Sequence, residues 1–201
     1  DMSTLIFLVQ QMMMFSIPLM VVALGGLFSE RSGIVNIGLE GTMIFGAFLS
    51  ILFISNMQGT IPGQPVLIMG ILIAAVAGVV ISLPHAFASI NMKANQVISG
   101  TAINMFAPAF AIFTARMVQP STAQQVPFIN QFRIEKVPLL GDIPIIGPMI
   151  FQNPSITTYI GIAILVVSWL VLYHTMFVLR LRACGEHPTA AESVRINVYK
   201  M

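Results

Sequence analysis

Polar side chains that could bind a polar molecule lie within otherwise apolar sequence. Glu40 is the only carboxylate inside a predicted apolar span, and Asn36 lies four residues before it. Helical residues four apart share a face, and ionisable residues within a membrane tend to face a bundle interior or a wet cavity. The two could line a polar path or hydrogen-bond a hydroxyl or a base. Alternatively, Glu40 pairs with Arg31 or a backbone group and organises a Gly-rich turn.

A second polar set begins the fourth apolar stretch. It contains Asn95, Gln96, Ser99 and Asn104, which are within reach of the same path. Amide and hydroxyl side chains also join neighbouring helices by hydrogen bonds, and that structural interpretation is the simpler one. The functional interpretation assigns Asn36, Glu40, Asn95, Ser99 and Asn104 to the lining of this polar path.

Motifs for covalent chemistry and for metal binding are absent from the sequence. The three histidines lie on different segments, and neither H-E-x-x-H nor C-x-x-C occurs, so we expect no metal site and no catalytic residue. The phosphate-binding pattern G-x-x-x-x-G-K-[ST] is also missing. Any energy from ATP must therefore arrive through contact with another protein.

Composition and span lengths define the class of fold. Hydrophobic residues make up 57% of the chain and charged residues 8%, against roughly 25% charged in soluble domains. A net charge of +2 is too small to indicate nucleic-acid binding. Five apolar stretches are long enough to cross a bilayer, namely residues 5–28, 34–54, 66–90, 97–115 and 156–179. We expect an all-α integral membrane protein with one transmembrane domain over residues 1–201.

Basic residues indicate how these spans are oriented. Alternation places Arg31, Lys93, Arg180 and Arg182 on one side of the membrane. Because cytoplasmic loops carry an excess of basic residues, we expect an external N-terminus, an external loop at 116–155 and a cytoplasmic segment at 180–201.

The third span carries small residues at every fourth position. They are Gly70, Ala74, Gly78, Ser82 and Ala86. Such strips let helix backbones approach closely in membranes, so we expect this helix to be surrounded by protein.

The loop at 116–155 contains six prolines between 120 and 154, which exclude a long helix. Residues 137–151 are nevertheless too apolar for a free linker. They form either a structural cap on the bundle or a docking surface for an external binding protein.

A polar segment with several alanines follows the last span, in residues 181–198 (LRACGEHPTAAESVRINV). Pro188 can precede a helix start, and Thr189 with Glu192 has the spacing of a capping box. Ala190, Ala191 and Val194 then provide a shallow apolar face that a neighbouring protein could approach closely. The segment predicts a short docked helix.

Three motifs in order carry a family resemblance. Residues 24–41 (LGGLFSERSGIVNIGLEG), residues 93–104 (KANQVISGTAIN) and the segment at 181–198 resemble nucleoside-type permeases of the branched-chain amino acid and simple-sugar ABC permease family. The resemblance implies a bacterial plasma-membrane importer bundle with a second, often different permease subunit, ATPase domains that bind ATP and Mg²⁺, and an external lipoprotein or periplasmic binding protein. This chain would be its N-terminal portion and would itself bind no cofactor.

The resemblance also assigns roles to residues. It implies contact with the ATPase at Gly185, Glu186, Pro188, Ala190, Ala191, Ser193 and Ile196. The expected substrate is a nucleoside; a simple sugar is the alternative, and a secondary transporter or a hydrolase would require sites that the sequence lacks. One departure is Arg195, where the family commonly has glycine, so either the short helix continues further or the ATPase contact has changed.

Overall fold

The computed structural model describes residues 2–61, 63–118, 126–127, 132–133, 147, 150 and 154–200. This described part forms helices and no strand. The helices are α1 (Met2–Arg31), α2 (Leu39–Met57), α3 (Gln64–Ile90), α4 (Gln96–Val118), α5 (Ile156–His174), α6 (Met176–Glu186) and α7 (Pro188–Ser193), with a 3-10 turn at Val198–Lys200. Helices α1 to α5 are long and apolar enough to span a membrane. The predicted all-α membrane fold is confirmed.

The second span begins later than the sequence predicted. Residues 32–38, here called the α1–α2 turn, are not helical. Gly33 has a φ of +83°, and the Asn36 Oδ1 atom accepts a hydrogen bond of 2.9 Å from the Gly38 N–H. A positive φ interrupts a right-handed helix, and a local side-chain bond supports a turn. The prediction that Asn36 and Glu40 share a helix face is therefore wrong.

The fifth span ends earlier than the sequence predicted, at His174 instead of residue 179. Thr175 is extended, with φ −119° and ψ 147°, and its hydroxyl donates a 2.6 Å hydrogen bond to the Val171 carbonyl. The extended backbone of Thr175 breaks the helix. Arg180 and Arg182 consequently belong to a separate helix, α6.

The chain divides into two compact units. One comprises Asp1–Gly25 and Gln131–Val178, and it contains most of α1 together with α5. Within this unit, Gly161 of α5 lies directly against the Ile17 side chain of α1. Glycine at this position lets the two helices approach closely.

The other unit comprises Gly26–Asn130 and Leu179–Met201. Here α2 packs against α3 and α4. Small residues of α3 line its contact with α2: Gly78 faces Thr42, Ala74 faces Gly46, and Gly70 faces Ser50 and Ile54. A Cβ on Gly46 would lie 3.0 Å from the Ala74 carbonyl oxygen. The prediction that Gly70, Ala74 and Gly78 lie in a closely packed interface is confirmed.

Another face of α3 has no neighbour within the described part of the chain. Its exposed side chains include Leu72 (61% exposed), Val76 (64%) and Phe87 (59%). The described residues thus cover only part of this helix, and the expectation that protein surrounds it stays a prediction. Within the described residues, the small-residue strip marks the packed face of α3.

Aromatic rings hold α4 against α2. The Phe110 ring of α4 lies 5.2 Å from the Phe45 ring and 6.3 Å from the Phe48 ring of α2, the second pair edge to face. Offset and edge-to-face pairs are the favoured ring arrangements. These contacts fix the position of α4, which carries most of the predicted polar set.

The predicted apolar surface at 137–151 lies outside the described residues except at 147 and 150. One described contact joins the preceding segment to the bundle: the Ser55 hydroxyl of α2 donates a 2.8 Å hydrogen bond to the Pro127 carbonyl.

Candidate functional site

The α1–α2 turn is held from within by short hydrogen bonds. The Ser29 hydroxyl donates to the Ile34 carbonyl at 2.7 Å, and the Ser32 hydroxyl donates to the Ser29 carbonyl at 2.6 Å. Together with the Asn36–Gly38 bond, they leave little freedom in the seven residues that lead into α2.

Asn104 of α4 joins the turn to the start of α2. Its Oδ1 atom accepts a 2.7 Å hydrogen bond from the Gly41 N–H, and its Nδ2 group donates one of 2.9 Å to the Ile37 carbonyl. Gly41 is the third residue of α2, so its N–H is among those that have no helical acceptor. The Asn104 amide thus occupies the place of the backbone bond that Gly41 and Ile37 would share in a longer helix.

Glycines allow the turn and α4 to meet backbone to backbone. A Cβ on Gly100 would lie 2.8 Å from the Gly38 nitrogen, and one on Gly41 would lie 2.6 Å from the Ile103 carbonyl oxygen. Neither distance can accommodate a side chain. Gly38 and Gly41 of the motif at 24–41 and Gly100 of the motif at 93–104 therefore lie in one contact.

Asn95 and Ser99 also have structural partners. The Asn95 Oδ1 atom accepts a 2.9 Å hydrogen bond from the Val97 N–H and so caps the start of α4. The Ser99 hydroxyl lies 2.8 Å from the Nδ1 atom of His85. His85 is only 3% exposed, and sequence reasoning missed it because its partner lies on another helix.

Glu40 differs from the other predicted pathway residues. It lies in the first turn of α2, where the helix dipole favours a carboxylate. Its side chain is exposed, and within the described ranges it has no hydrogen-bond or ion-pair partner, Arg31 included. Of the five residues predicted to line the polar path, only Glu40 has a side chain without a hydrogen-bond or ion-pair partner among the described residues.

The predicted ATPase-contact segment contains α7, but the helix starts earlier than predicted. His187 is the N-cap residue, without a side-chain cap, and Pro188 is the first helical residue. Proline suits this position because its φ is helical and its missing N–H is not needed. The prediction of a capping box from Thr189 to Glu192 is therefore wrong.

Arg195 ends α7 in a left-handed conformation, with a φ of +65°. The Ile196 N–H donates to the Ala191 carbonyl at 3.1 Å, and the Arg195 N–H donates to the Glu192 carbonyl at 3.0 Å. These two bonds define a Schellman motif, in which glycine is the usual residue at the position of Arg195. The alternative in which the helix continues further is wrong, since α7 ends at Ser193.

The alanines of α7 do not form one exposed face. Ala191 is 3% exposed and packs within its own chain, whereas Val194 is 67% exposed. The remaining predicted contact residues divide similarly: Glu186, Pro188, Ala190 and Ser193 are exposed, and Gly185 and Ile196 are half-buried. The apolar surface available to a partner therefore includes Ala190 and Val194, and not Ala191.

Gly185, one of the predicted ATPase-contact residues, lies against the α1–α2 turn. A Cβ on Gly185 would lie 2.7 Å from the Arg31 carbonyl oxygen and 2.9 Å from the Gly33 nitrogen. The last turn of α6 thus touches the α1–α2 turn directly. No cluster of His, Cys, Asp and Glu suited to a metal ion occurs among the residues described.

Residues 8–201 match a family described as the branched-chain amino acid transport system / permease component. The chain belongs to this family. The structure fits the assignment, since the matched region contains all five candidate spans except the start of α1.

Individual relatives are similar to this chain along nearly its whole length. The guanosine ABC transporter permease protein NupQ of Bacillus subtilis is 44% identical over 94% of the chain, which covers 59% of NupQ. The nucleoside ABC transporter permease protein NupC of Lactococcus lactis is 40% identical over 98% of the chain, which covers 61% of NupC. The chain therefore spans about three fifths of the length of either relative.

A more distant relative is TsgC13 of Haloferax volcanii, provisionally named as a glucose ABC transporter permease protein. It is 30% identical over 90% of the chain, which covers 52% of TsgC13. No solved structure matches the permease chain.

Proposed function

We propose that the chain is part of a permease subunit of an ATP-driven ABC importer that moves nucleosides inward across a bacterial plasma membrane. The observation that carries this proposal is the 44% and 40% identity to permeases named for guanosine and for nucleosides, against 30% for the one named for glucose. The five apolar helices provide the membrane-spanning part.

The energy would come from a separate ATPase subunit, because the sequence has no phosphate-binding loop. The exposed Ala190 of α7 and the exposed Val194 directly after α7 offer that subunit a small apolar surface. A second permease subunit and an external lipoprotein or periplasmic binding protein complete the proposed importer. The chain itself would bind no cofactor and make no covalent change to the substrate.

Uptake by the reconstituted transporter tests the proposed substrate. The full-length subunit and its partners are placed in vesicles with internal ATP or with a non-hydrolysable analogue. We expect uptake of labelled guanosine, adenosine or uridine with ATP and none with the analogue. Ribose uptake that other sugars inhibit and nucleosides do not would instead establish the sugar importer.

Glu40 is the pathway residue that we propose contacts the substrate, because its carboxylate has no partner in the described part of the chain. Glu40→Gln removes the charge and keeps the size. We expect impaired uptake with near-normal amounts of assembled transporter. Glu30→Gln is the matched control, since Glu30 is also exposed and lies in the last turn of α1. Parental uptake in Glu40→Gln would remove Glu40 from the pathway.

A further inference from the structure

Gly33 and Gly185 meet without any side chain between them. A Cβ on Gly33 would lie 2.9 Å from the Gly185 Cα atom, and one on Gly185 would lie 2.7 Å from the Arg31 carbonyl oxygen. Backbone atoms cannot move aside as the end of a flexible side chain can. A displacement of either segment must therefore either displace the other or open the contact.

Gly185 is followed almost directly by α7. Only Glu186 and the N-cap residue His187 separate it from Pro188, and the His187 N–H donates a 3.1 Å hydrogen bond to the Ala183 carbonyl of α6. The short connection leaves little freedom between the last turn of α6 and the first turn of α7.

The opposite side of the α1–α2 turn is fixed to α4. The Val35 N–H donates a 2.8 Å hydrogen bond to the Gln96 Oε1 atom, and Asn104 bonds both to Ile37 and to the first turn of α2. A continuous series of backbone contacts and hydrogen bonds therefore leads from α7, through the Gly33–Gly185 contact, to the N-termini of α2 and α4.

We propose that Gly33 and Gly185 are positioning residues that transmit the movement of α7 to α2 and α4. The inference rests on the proposed function, in which a partner ATPase moves α7. Energetic coupling between distant sites is carried by packed and hydrogen-bonded networks, and this one reaches the first turn of α2, which contains Glu40. Gly33 serves this contact in two ways, because its φ of +83° also favours glycine.

Gly185→Ala tests the proposal in the complete transporter. The added methyl group must separate the two backbones, so we expect co-purification of the ATPase and ATP hydrolysis to persist while the substrate imported per ATP falls. The expected fall is roughly fivefold or more, the lower end of typical coupling between sites. A purely structural defect would reduce hydrolysis and uptake together and leave their ratio unchanged.

Gly25→Ala is the matched control, because a Cβ there would have no atom within 4 Å. It makes the same chemical change in a helix, and the substrate imported per ATP should stay at the parental value. A parental ratio in assembled Gly185→Ala transporter would overturn the proposal.

Gln96→Ala decides the question if Gly185→Ala does not assemble. This variant removes one exposed hydrogen bond from the other side of the α1–α2 turn, a loss that the fold should tolerate. We expect the imported substrate per ATP to fall in Gln96→Ala and not in Asn56→Ala, whose amide donates a hydrogen bond to the Leu52 carbonyl within α2. An unchanged ratio in Gln96→Ala would overturn the proposal.

Uptake by the unmodified transporter distinguishes a failure of the proposed substrate from a failure of the proposal for Gly33 and Gly185. If it imports a substrate other than nucleosides, the proposed substrate is wrong, and the ratio is then measured in both variants with the substrate that it does import.

Discussion

Arg195 adopts a backbone conformation that normally requires glycine. Its φ of +65° places it at the left-handed position of the Schellman motif that ends α7. A left-handed conformation is unfavourable by about 1–2 kcal/mol for residues with a Cβ. The segment next to the proposed ATPase contact is thus held at a cost in local stability.

Arg195→Gly should make the end of α7 more stable, because glycine adopts this conformation without strain. We expect amide exchange at Ile196 to slow by about fivefold, which corresponds to about 1 kcal/mol. Hydrogen exchange of the membrane-embedded protein measures this rate. Arg195→Ala is the control, since alanine keeps the strain. If amide exchange slowed equally in both variants, the cause would be the loss of the arginine charge and not the relief of backbone strain.

Asn104 illustrates how one side chain can serve two backbone groups. Its amide accepts from Gly41 and donates to Ile37, which satisfies two polar groups that are costly to leave unpaired away from water. The contacts identify Asn104 as a link between α4 and the α1–α2 turn. Its assignment to the transport pathway remains a prediction.

At the scale of elements, the α2–α3 pair depends on close approach and not on large apolar side chains. Gly46 faces the Ala74 carbonyl, and Gly78 faces the Thr42 methyl group. Lipid is as apolar as leucine, so packing between membrane helices relies on small residues that bring backbones together.

Gly46→Ala should destabilise this pair, because the added Cβ would lie only 3.0 Å from the Ala74 carbonyl oxygen. We expect a loss of about 1–3 kcal/mol, as is typical of overpacking. Gly78→Ala is the matched control: its Cβ would lie 3.6 Å from Thr42, an ordinary contact. Thermal unfolding in detergent compares the two. A Gly46→Ala variant at least as stable as Gly78→Ala would contradict the interface.

The exposed apolar surface at the end of α7 can be tested for contact with the ATPase. Ala191 packs inside its own chain, so Ala191→Arg would disturb the fold and could not report on docking. Val194 is 67% exposed, and Val194→Arg would instead place a charge in the proposed apolar contact, where an unpaired charge costs several kcal/mol.

We expect Val194→Arg to insert in the membrane but to lose its ATPase on purification and to lose uptake. Val194→Leu keeps the surface apolar and should retain both. Parental co-purification and uptake by Val194→Arg would show that α7 does not dock through this surface.

At the scale of the whole molecule, the distribution of basic residues predicts the orientation. Arg31, Lys93, Arg180 and Arg182 fall on one side if the spans alternate. Single cysteines at Ser3 and Gln58, in a Cys184→Ala background, should react with an impermeant thiol reagent from outside, and a cysteine at Lys93 should not. The reverse pattern of labelling would overturn the orientation and the proposed cytoplasmic ATPase contact.

The sequence by itself determined the class of fold and the number of candidate spans. Runs of about 20 apolar residues have few other stable structures, and the four-residue spacing of Gly70, Ala74 and Gly78 identified a packed helix face. These features are local, so the order of residues along the chain is sufficient to predict them.

Only the tertiary structure decided where the helices are interrupted and which glycines meet. The break at Thr175 and the α1–α2 turn depend on hydrogen bonds and φ angles that hydropathy does not record. The Gly33–Gly185 contact joins residues far apart in sequence, and a glycine carries no signal of its neighbour. Contacts of this kind depend on how helices pack, which is why the sequence indicated the motifs but not the way they meet.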